Sequence, residues 1–369
     1  MRVVVCGCGV VGASIAFFLA RRGVDVTVIE RAGVACAASG KSGGFLALDW
    51  CDGTPLAALA RRSFALHADL AEEIPGHASY RRMTTYGGLG GEDIHGNSDT
   101  CALEWTSPHI KVSSRLGSTQ TTAQVHPGAF THALMQVAQT YGAKLRLAQA
   151  TGLVRGGCGS RIRGVAIGSE VVEGDAIVIA MGPWSILASQ WLPLPAVFGL
   201  KGHSLVFETG TKISPEALFL EYREADGTLL SPEFFPRPDG TTYVCAISSE
   251  TPLPVNPADV APEPGAIERL HALSGHVSPV LRESRILASQ ACFRPVTRDG
   301  LPLIGRIPGV PGAYVATGHS VWGILNAPAT AEAMAELIVD GASRTVDLSP
   351  FDPGRMRPLD RAQMFKAGQ

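Results

Sequence analysis

Gly7, Gly9 and Gly12 are the residues of this chain whose type and spacing point most directly to chemistry. They stand in Gly7-Cys8-Gly9-Val10-Val11-Gly12, after the β-branched run Val3-Val4-Val5-Cys6 and before a helical stretch, residues 13–22. A strand, G-x-G-x-x-G and a helix in that order make the turn that seats a dinucleotide pyrophosphate. Gly7 permits the sharp turn, Gly9 lets backbone approach phosphate, and Gly12 lets the helix pack on the strand. The phosphate charge then meets free N–H groups, those of Val10 and Val11 among them, at the positive end of the helix. A second strand is expected over residues 24–29. It closes on Glu30, whose carboxylate can accept hydrogen bonds from a ribose diol, and a glycine turn in an ordinary βαβ unit leaves that acid unexplained.

Other segments can hold further parts of such a ligand. Ser39-Gly40-Lys41-Ser42-Gly43-Gly44 offers backbone N–H groups and hydroxyls to phosphates or a cofactor ring, with a surface loop as the alternative reading. Residues 175–184 read as a strand ending in a small-residue turn, with Ala180, Gly182 and Trp184 beneath a ribose or ribityl chain. Gly318-His319-Ser320-Val321-Trp322-Gly323-Ile324 precedes the last helix, so its backbone donors and the helix dipole point at whatever sits there. A dense motif, residues 292–305, begins Cys292-Phe293-Arg294-Pro295.

The elements that must position these residues follow from periodicity. Phe130, Leu134, Val137, Ala138 and Tyr141 have helical spacing, predicting a helix over 129–141. Strands are expected over 144–149, 163–167 and 171–172, with a hairpin near Gly156-Gly157. The nearly all-apolar run 175–180 has the character of a buried parallel strand. From about 199 to 249 short alternating runs predict an antiparallel sheet, followed by a proline-rich loop (254–264), a helix (267–277) and a strand (290–293). Residues 313–318 and a helix over 327–339 return to dinucleotide-fold character. The expected architecture is α/β and two-lobed. A discontinuous dinucleotide domain (1–82, 125–195 and 290–369) is interrupted by an antiparallel-sheet substrate domain (83–124 and 196–289).

Composition narrows the class. With 369 residues the chain can bury a large core. Its 46% hydrophobic and 17% charged residues suit a compact enzyme with little polar surface. A net charge of −2 without a Lys/Arg cluster argues against a nucleic-acid partner. Eight cysteines without C-x-x-C, two of them flanking the phosphate turn, suit reduced thiols and a reducing compartment. The apolar runs are too short for a membrane span. Cytoplasmic is the expected location, though a chain shorn of a transit peptide would look the same.

Taken in order, the motifs at 7–12, 39–44, 175–184, 292–305 and 318–324 resemble the FAD-dependent oxidoreductases of the D-amino-acid-oxidase superfamily, which includes glycine and sarcosine oxidases. The resemblance implies a Rossmann-like FAD-binding domain of glutathione-reductase type. It implies FAD rather than NAD at the N-terminal turn, with Arg31 and Ala150 in the binding set and 318–324 under the pyrimidine end of the flavin. Residues 37–44, 80–85 and 124–127 are similar to an uncharacterised eukaryotic branch of plant proteins and fungal putative oxidoreductases connected with endosomal retrograde traffic. That branch implies no defined substrate, and a flavin-binding role in regulation or traffic stands as an alternative.

The activity implied is oxidation of the C–N bond of a small amine or amino acid by hydride transfer to flavin. Oxidation of a 2-hydroxy acid on the same scaffold is the alternative. Such chemistry requires no strong side-chain base, and the sequence offers no obvious one. Arg294 matches the arginine that grips the substrate carboxylate, its alternative being a structural salt bridge to Asp299. Cys292 occupies the position of a thioether link to FAD in sarcosine oxidases, but here begins C-F-R-P; a buried structural thiol and noncovalent FAD are expected. The lysine that assists oxygen reduction should fall on the strand 241–247, which has none, so an acceptor other than oxygen becomes plausible. His319 can tune the cofactor, bind substrate or brace its loop. His203, Tyr222, Arg223 and Tyr243 can line the pocket, but alternation alone does not assign their faces. Trp50, Trp184 and Trp322 read as packing residues.

Overall fold

A computed structural model describes residues 1–74, 79–94, 103–156 and 162–360. Gly157, half of the expected glycine hairpin, lies outside them. Among the described residues the helices are α1 (Val10–Arg21), α2 (Ala57–Glu73), α3 (Pro127–Thr140), α4 (Ala266–Val277), α5 (Pro279–Glu283) and α6 (Gly323–Val339).

The apolar run at the N-terminus forms the strand Arg2–Cys6, inside a six-stranded sheet. The order is Leu303–Arg306, Ala313–Thr317, Ala176–Ile179, Arg2–Cys6, Asp25–Glu30, Lys144–Leu147. All pairings are parallel except the first. Val3 to Cys6 and Ala176 to Ile179 are buried throughout, because helices cover one face and a three-stranded antiparallel sheet (Gly152–Arg155, Ile162–Ile167, Glu170–Glu173) covers the other. The carboxyl ends of these strands open on one side, where ligands bind in open α/β sheets.

A second, eight-stranded sheet has the order Arg285–Val296, Phe198–Glu208, Thr241–Ser249, Glu233–Pro236, Ala217–Arg223, Thr85–Gly91, Ile110–Gly117, with Leu229–Leu230 beside Ala217–Arg223. α4 and α5 bury its outer face: Leu270, Leu273, Val277 and Leu281 pack with Leu205, Phe207, Phe234 and Val244. The inner face carries Phe235, Tyr243 and Cys245, two residues apart along each strand as the pleat requires.

Several expected boundaries are corrected. The sheet is mixed, because Ala217–Arg223 pairs in parallel with Thr85–Gly91. These strands are joined through the other lobe rather than by a hairpin, so nothing forces them antiparallel. The strand expected from 290 begins at Arg285, and through Val296 it belongs to this second sheet rather than to the dinucleotide sheet. The eleven-residue partner Phe198–Glu208 supplies a ladder that long. α1 starts at Val10 and α6 at Gly323, both earlier than periodicity suggests. The strand after α3 ends at Leu147. No described helix is long and apolar enough to cross a membrane.

α6 positions the end of the site, and it contains Pro328. A proline lacks the N–H that would bond Ile324 O, leaving a buried carbonyl to be satisfied. α2 supplies the repair: His67 Nε2 donates to the carbonyls of Ile324 at 3.0 Å and Leu325 at 3.2 Å. One turn away, the Ala329 N–H donates to Ser63 Oγ at 3.1 Å. His67→Leu is expected to remove roughly 2–4 kcal/mol of stability by orphaning two carbonyls. Adding Pro328→Ala should recover part of that loss, because alanine supplies the N–H that proline lacks. Denaturant unfolding of the two single variants and the double measures the coupling.

A candidate cofactor and substrate site

A cavity of about 470 Å³ lies between the carboxyl ends of the first sheet and the inner face of the second. Its wall includes Gly7, Gly9, Val10, Val11, Glu30, Arg31, Ser39, Ser42, Gly43, Ala150, Ala180, Gly182, Trp184, Cys292, Arg294, His319, Ser320, Gly323 and Ile324. The expected residues Gly12, Gly40, Lys41, Gly44, Gly318 and Trp322 do not line it. They act behind the wall: Lys41 Nζ donates to Ala291 O at 3.2 Å, and Trp322 sits edge-on to Trp50.

The glycine turn is sterically obligatory. Gly7 has φ +103°, and a β-carbon there would lie 2.4 Å from Ala180 O. At Gly12 it would lie 2.0 Å from Gly7 O. α1 therefore begins hard against the strands, with Gly9 as a cap that has no side chain. Ser39 Oγ accepts from Val10 N at 2.8 Å, so the second glycine-rich loop is tied to the start of the helix.

Glu30 is committed more heavily than expected. Its carboxylate accepts from Cys8 N at 2.7 Å and Ala32 N at 2.8 Å, binding the phosphate turn to the loop after its own strand. A carboxylate has about four lone-pair sites, so ribose hydroxyls remain compatible. Burial pushes the thiols of Cys6 and Cys8 up to about 12, leaving both protonated and inert. The described cysteines are all free.

Two side chains hook the proline-rich loop over the cavity. Arg31 donates to Val255 O at 2.9 Å, and Trp184 Nε1 donates to Pro254 O at 2.7 Å. Trp184 thus fastens a loop as well as packing.

On the second sheet the cavity wall contains Gly202, His203, Glu233, Tyr243, Cys245, Cys292 and Arg294. Asp299 pairs with Arg355, not with Arg294, which corrects the salt-bridge alternative. The Arg294 guanidinium lies across Gly202, where a β-carbon would be 3.3 Å from it, and donates to Ser248 Oγ at 2.9 Å. His203 Nε2 accepts from Glu263 N at 3.0 Å while Nδ1 meets Ile247 O at 3.2 Å, which sets a neutral tautomer. Burial lowers its pKa further. Of the four strand candidates, His203 and Tyr243 reach the cavity. Tyr222 faces the opposite side, toward His276, and exposed Arg223 does not line the wall.

His319 is buried with Nε2 on Thr330 Oγ1 at 3.1 Å, fastening the loop before α6 to the helix. Desolvation drives its pKa down to about 4, so the ring is neutral.

The cavity fits a dinucleotide cofactor on its own geometry. The turn excludes β-carbons where backbone must approach a ligand, α1 and α6 both start at the wall, and Ser42 Oγ is a buried hydroxyl left without a partner. Among the wall residues that sequence reasoning did not single out is one acid of the second sheet, Glu233. The only signal was one acid opening the apolar segment Glu233-Phe234-Phe235-Pro236. Residues 175–180 and 313–318 meet as neighbouring strands whose ends frame the cavity.

Comparisons with known proteins agree with this architecture. The model of the family described as "DAO: FAD dependent oxidoreductase" matches residues 2–337. A putative oxidoreductase of Schizosaccharomyces pombe, C1F5.03c, is 31% identical over 385 residues, spanning 95% of this chain and 97% of that protein. A glycine oxidase of Pseudomonas aeruginosa is 28% identical, spanning 96% and 99%. The crystal structure of glycine oxidase from Geobacillus kaustophilus superposes with a TM-score of 0.81 at 23% identity, covering 96% of this chain and 99% of that one.

His319 yields a pH test. Its folded pKa of about 4 lies below the usual 6.5, so an unfolded chain accepts a proton that the folded one refuses. Stability is therefore full above 6.5 and falls as pH drops toward 4, by about 3 kcal/mol from this group. His319→Gln, which can keep the Thr330 bond without titrating, is expected to flatten that part of the unfolding-versus-pH curve relative to wild type.

Proposed function

We propose that this chain, which belongs to the DAO family of FAD-dependent oxidoreductases, oxidises the C–N bond of a small amine carrying a carboxylate, an amino acid in the simplest case. The observation that carries this reading is the Arg294 guanidinium, present in the same cavity as the glycine turn and held by a neutral hydroxyl instead of an acid. A guanidinium fork binds a carboxylate bidentately and fixes rotation about the carbon next to it. Relatives named glycine oxidase support the same substrate class.

FAD, when bound, supplies the two-electron acceptor that no side chain provides. The backbone around Gly7, Gly9 and Val10 would hold its phosphates and Glu30 its ribose. Ser42, Gly43, Gly323 and Ile324 stand where loops and the start of α6 can meet its ring system. The rest of the work belongs to the chain. Arg294 orients the substrate, the aromatic group of Phe45, Phe219, Phe235 and Tyr243 builds an apolar wall behind the 40–44 loop, and the hooked 254–255 loop limits entry of water. Burial pushes the Cys292 thiol up, which keeps it protonated and poorly nucleophilic on the cavity wall and supports a noncovalent cofactor. The inward residues of Thr241–Ser249 are Tyr243 and Cys245, with no lysine on that strand, which supports an acceptor other than oxygen.

Anaerobic bleaching of the flavin tests the substrate class. Amino acids or N-methyl amino acids should reduce it and 2-hydroxy acids should not; reduction by hydroxy acids alone would sink the proposal. Arg294→Lys should lower kcat/KM roughly a hundredfold, about 3 kcal/mol, with the flavin retained. Acid precipitation should leave the yellow colour in the supernatant, whereas a yellow pellet means a covalent link.

A further inference from the structure

The second sheet brings a carboxyl group and a guanidinium cation to one wall without pairing them. Arg294 extends from Arg285–Val296 and Glu233 from Glu233–Pro236, with two strands between them in the sheet. The intervening positions are small. Gly202, paired in register with Cys292, lets the guanidinium lie flat across the backbone, and Cys245, paired with Glu233, reaches its carboxylate with Sγ 3.5 Å from Oε2. Each has a neutral partner: Cys245 donates to the Glu233 carboxyl group, and Ser248 accepts from the Arg294 guanidinium. No ion pair within 4 Å involves either, among the described residues.

Their mutual influence is still present. Arg294 favours the ionised form of Glu233, while the larger influence, burial, favours the protonated one. The other titratable groups that the second sheet brings to this wall carry no charge near neutral pH. Burial raises the pKa values of Tyr243, Cys245 and Cys292 and lowers that of His203. Glu233 is the desolvated member of the two, while the Arg294–Ser248 bond is open to solvent, and a ligand carrying both complementary charges supplies each with a charged partner.

We propose that Glu233 receives the amino group of the substrate whose carboxylate Arg294 holds, and accepts a proton from it. In that step an N–H bond of the ammonium breaks, the proton forms an O–H bond on the Glu233 carboxylate, and the electron pair stays on nitrogen. The product is a neutral amine beside a neutral acid, with no change of oxidation state. An amine must be neutral before its carbon can be oxidised, so the residue makes the bound zwitterion reactive as well as selecting it. The raised proton affinity of the half-buried carboxylate suits that transfer. This inference rests on the amino acid reading above.

The test uses a pair of probes of similar shape on the flavin-loaded protein: α-aminoisobutyrate, which has no α-hydrogen to lose, and isobutyrate, which lacks the amine. Binding is read by calorimetry and by perturbation of the flavin spectrum. Wild type should prefer α-aminoisobutyrate by about tenfold or more. Glu233→Gln should abolish that preference while retaining isobutyrate, and Arg294→Ala should weaken both. Glu233→Ala, judged the same way, covers the case in which the Gln variant loses its flavin. A preference unchanged in these variants overturns the role of Glu233 and leaves the amino acid reading standing. Wild type that binds isobutyrate but not the amino acid overturns both.

Discussion

Where Gly7, Gly12 and Ala180 meet, there is no room for a β-carbon, and that crowding determines where the rest of the site can be. Contacts of 2.4 Å and 2.0 Å to backbone oxygens, were alanines placed there, mean that the first helix starts directly on the ends of two parallel strands. Its leading amides are then presented to the cavity at a position set by main chain. Glu30 reinforces this arrangement by accepting amide hydrogens from both the turn and the loop beyond its own strand. The carboxylate is thus structural before it is a ligand for anything. Both of its oxygens are used in this way, which accounts for an acid beside a turn shaped to receive a diphosphate.

The opposite end of the cavity depends on a defect that a neighbouring helix repairs. Pro328 interrupts the hydrogen bonding of α6 one turn after the helix begins, and Ser63 and His67 of α2 take over the freed groups. His319 adds a further tie from the loop into the helix at Thr330. The start of α6 is consequently fixed by side chains from distant segments, which keeps its N–H groups aimed at the cavity despite the break.

Between these ends, the second sheet supplies chemistry through its pleat. Alternation sends Val244 and Phe234 outward to α4 and sends Tyr243, Cys245 and Glu233 inward. The same rule keeps Tyr222 out of the site. Small residues at Gly202 and Cys245 leave space over the middle strands, so long charged side chains from the flanking strands can extend above them without meeting.

Much of this was legible locally. The glycine turn, Glu30 and the apolar strands are short-range features, because steric demands on a turn and the apolarity of a doubly covered strand appear in adjacent residues. The loop at 39–44 and the turn at 180–184 were recognisable for the same reason. The extra length of Arg285–Val296, the parallel pairing of Ala217–Arg223 and the early start of α6 were not, since each depends on a partner far away in sequence. Glu233 was invisible as a site residue because an acid in an apolar strand reads equally as an exposed face. What the amino-acid order determined by itself is the glycine turn between the first strand and α1 and the positions able to carry charge. Which charges share a wall, Arg294 with Glu233 rather than with Asp299, was decided only when the strands took their order in the sheet, because electrostatic influence follows distance through space and not along the chain.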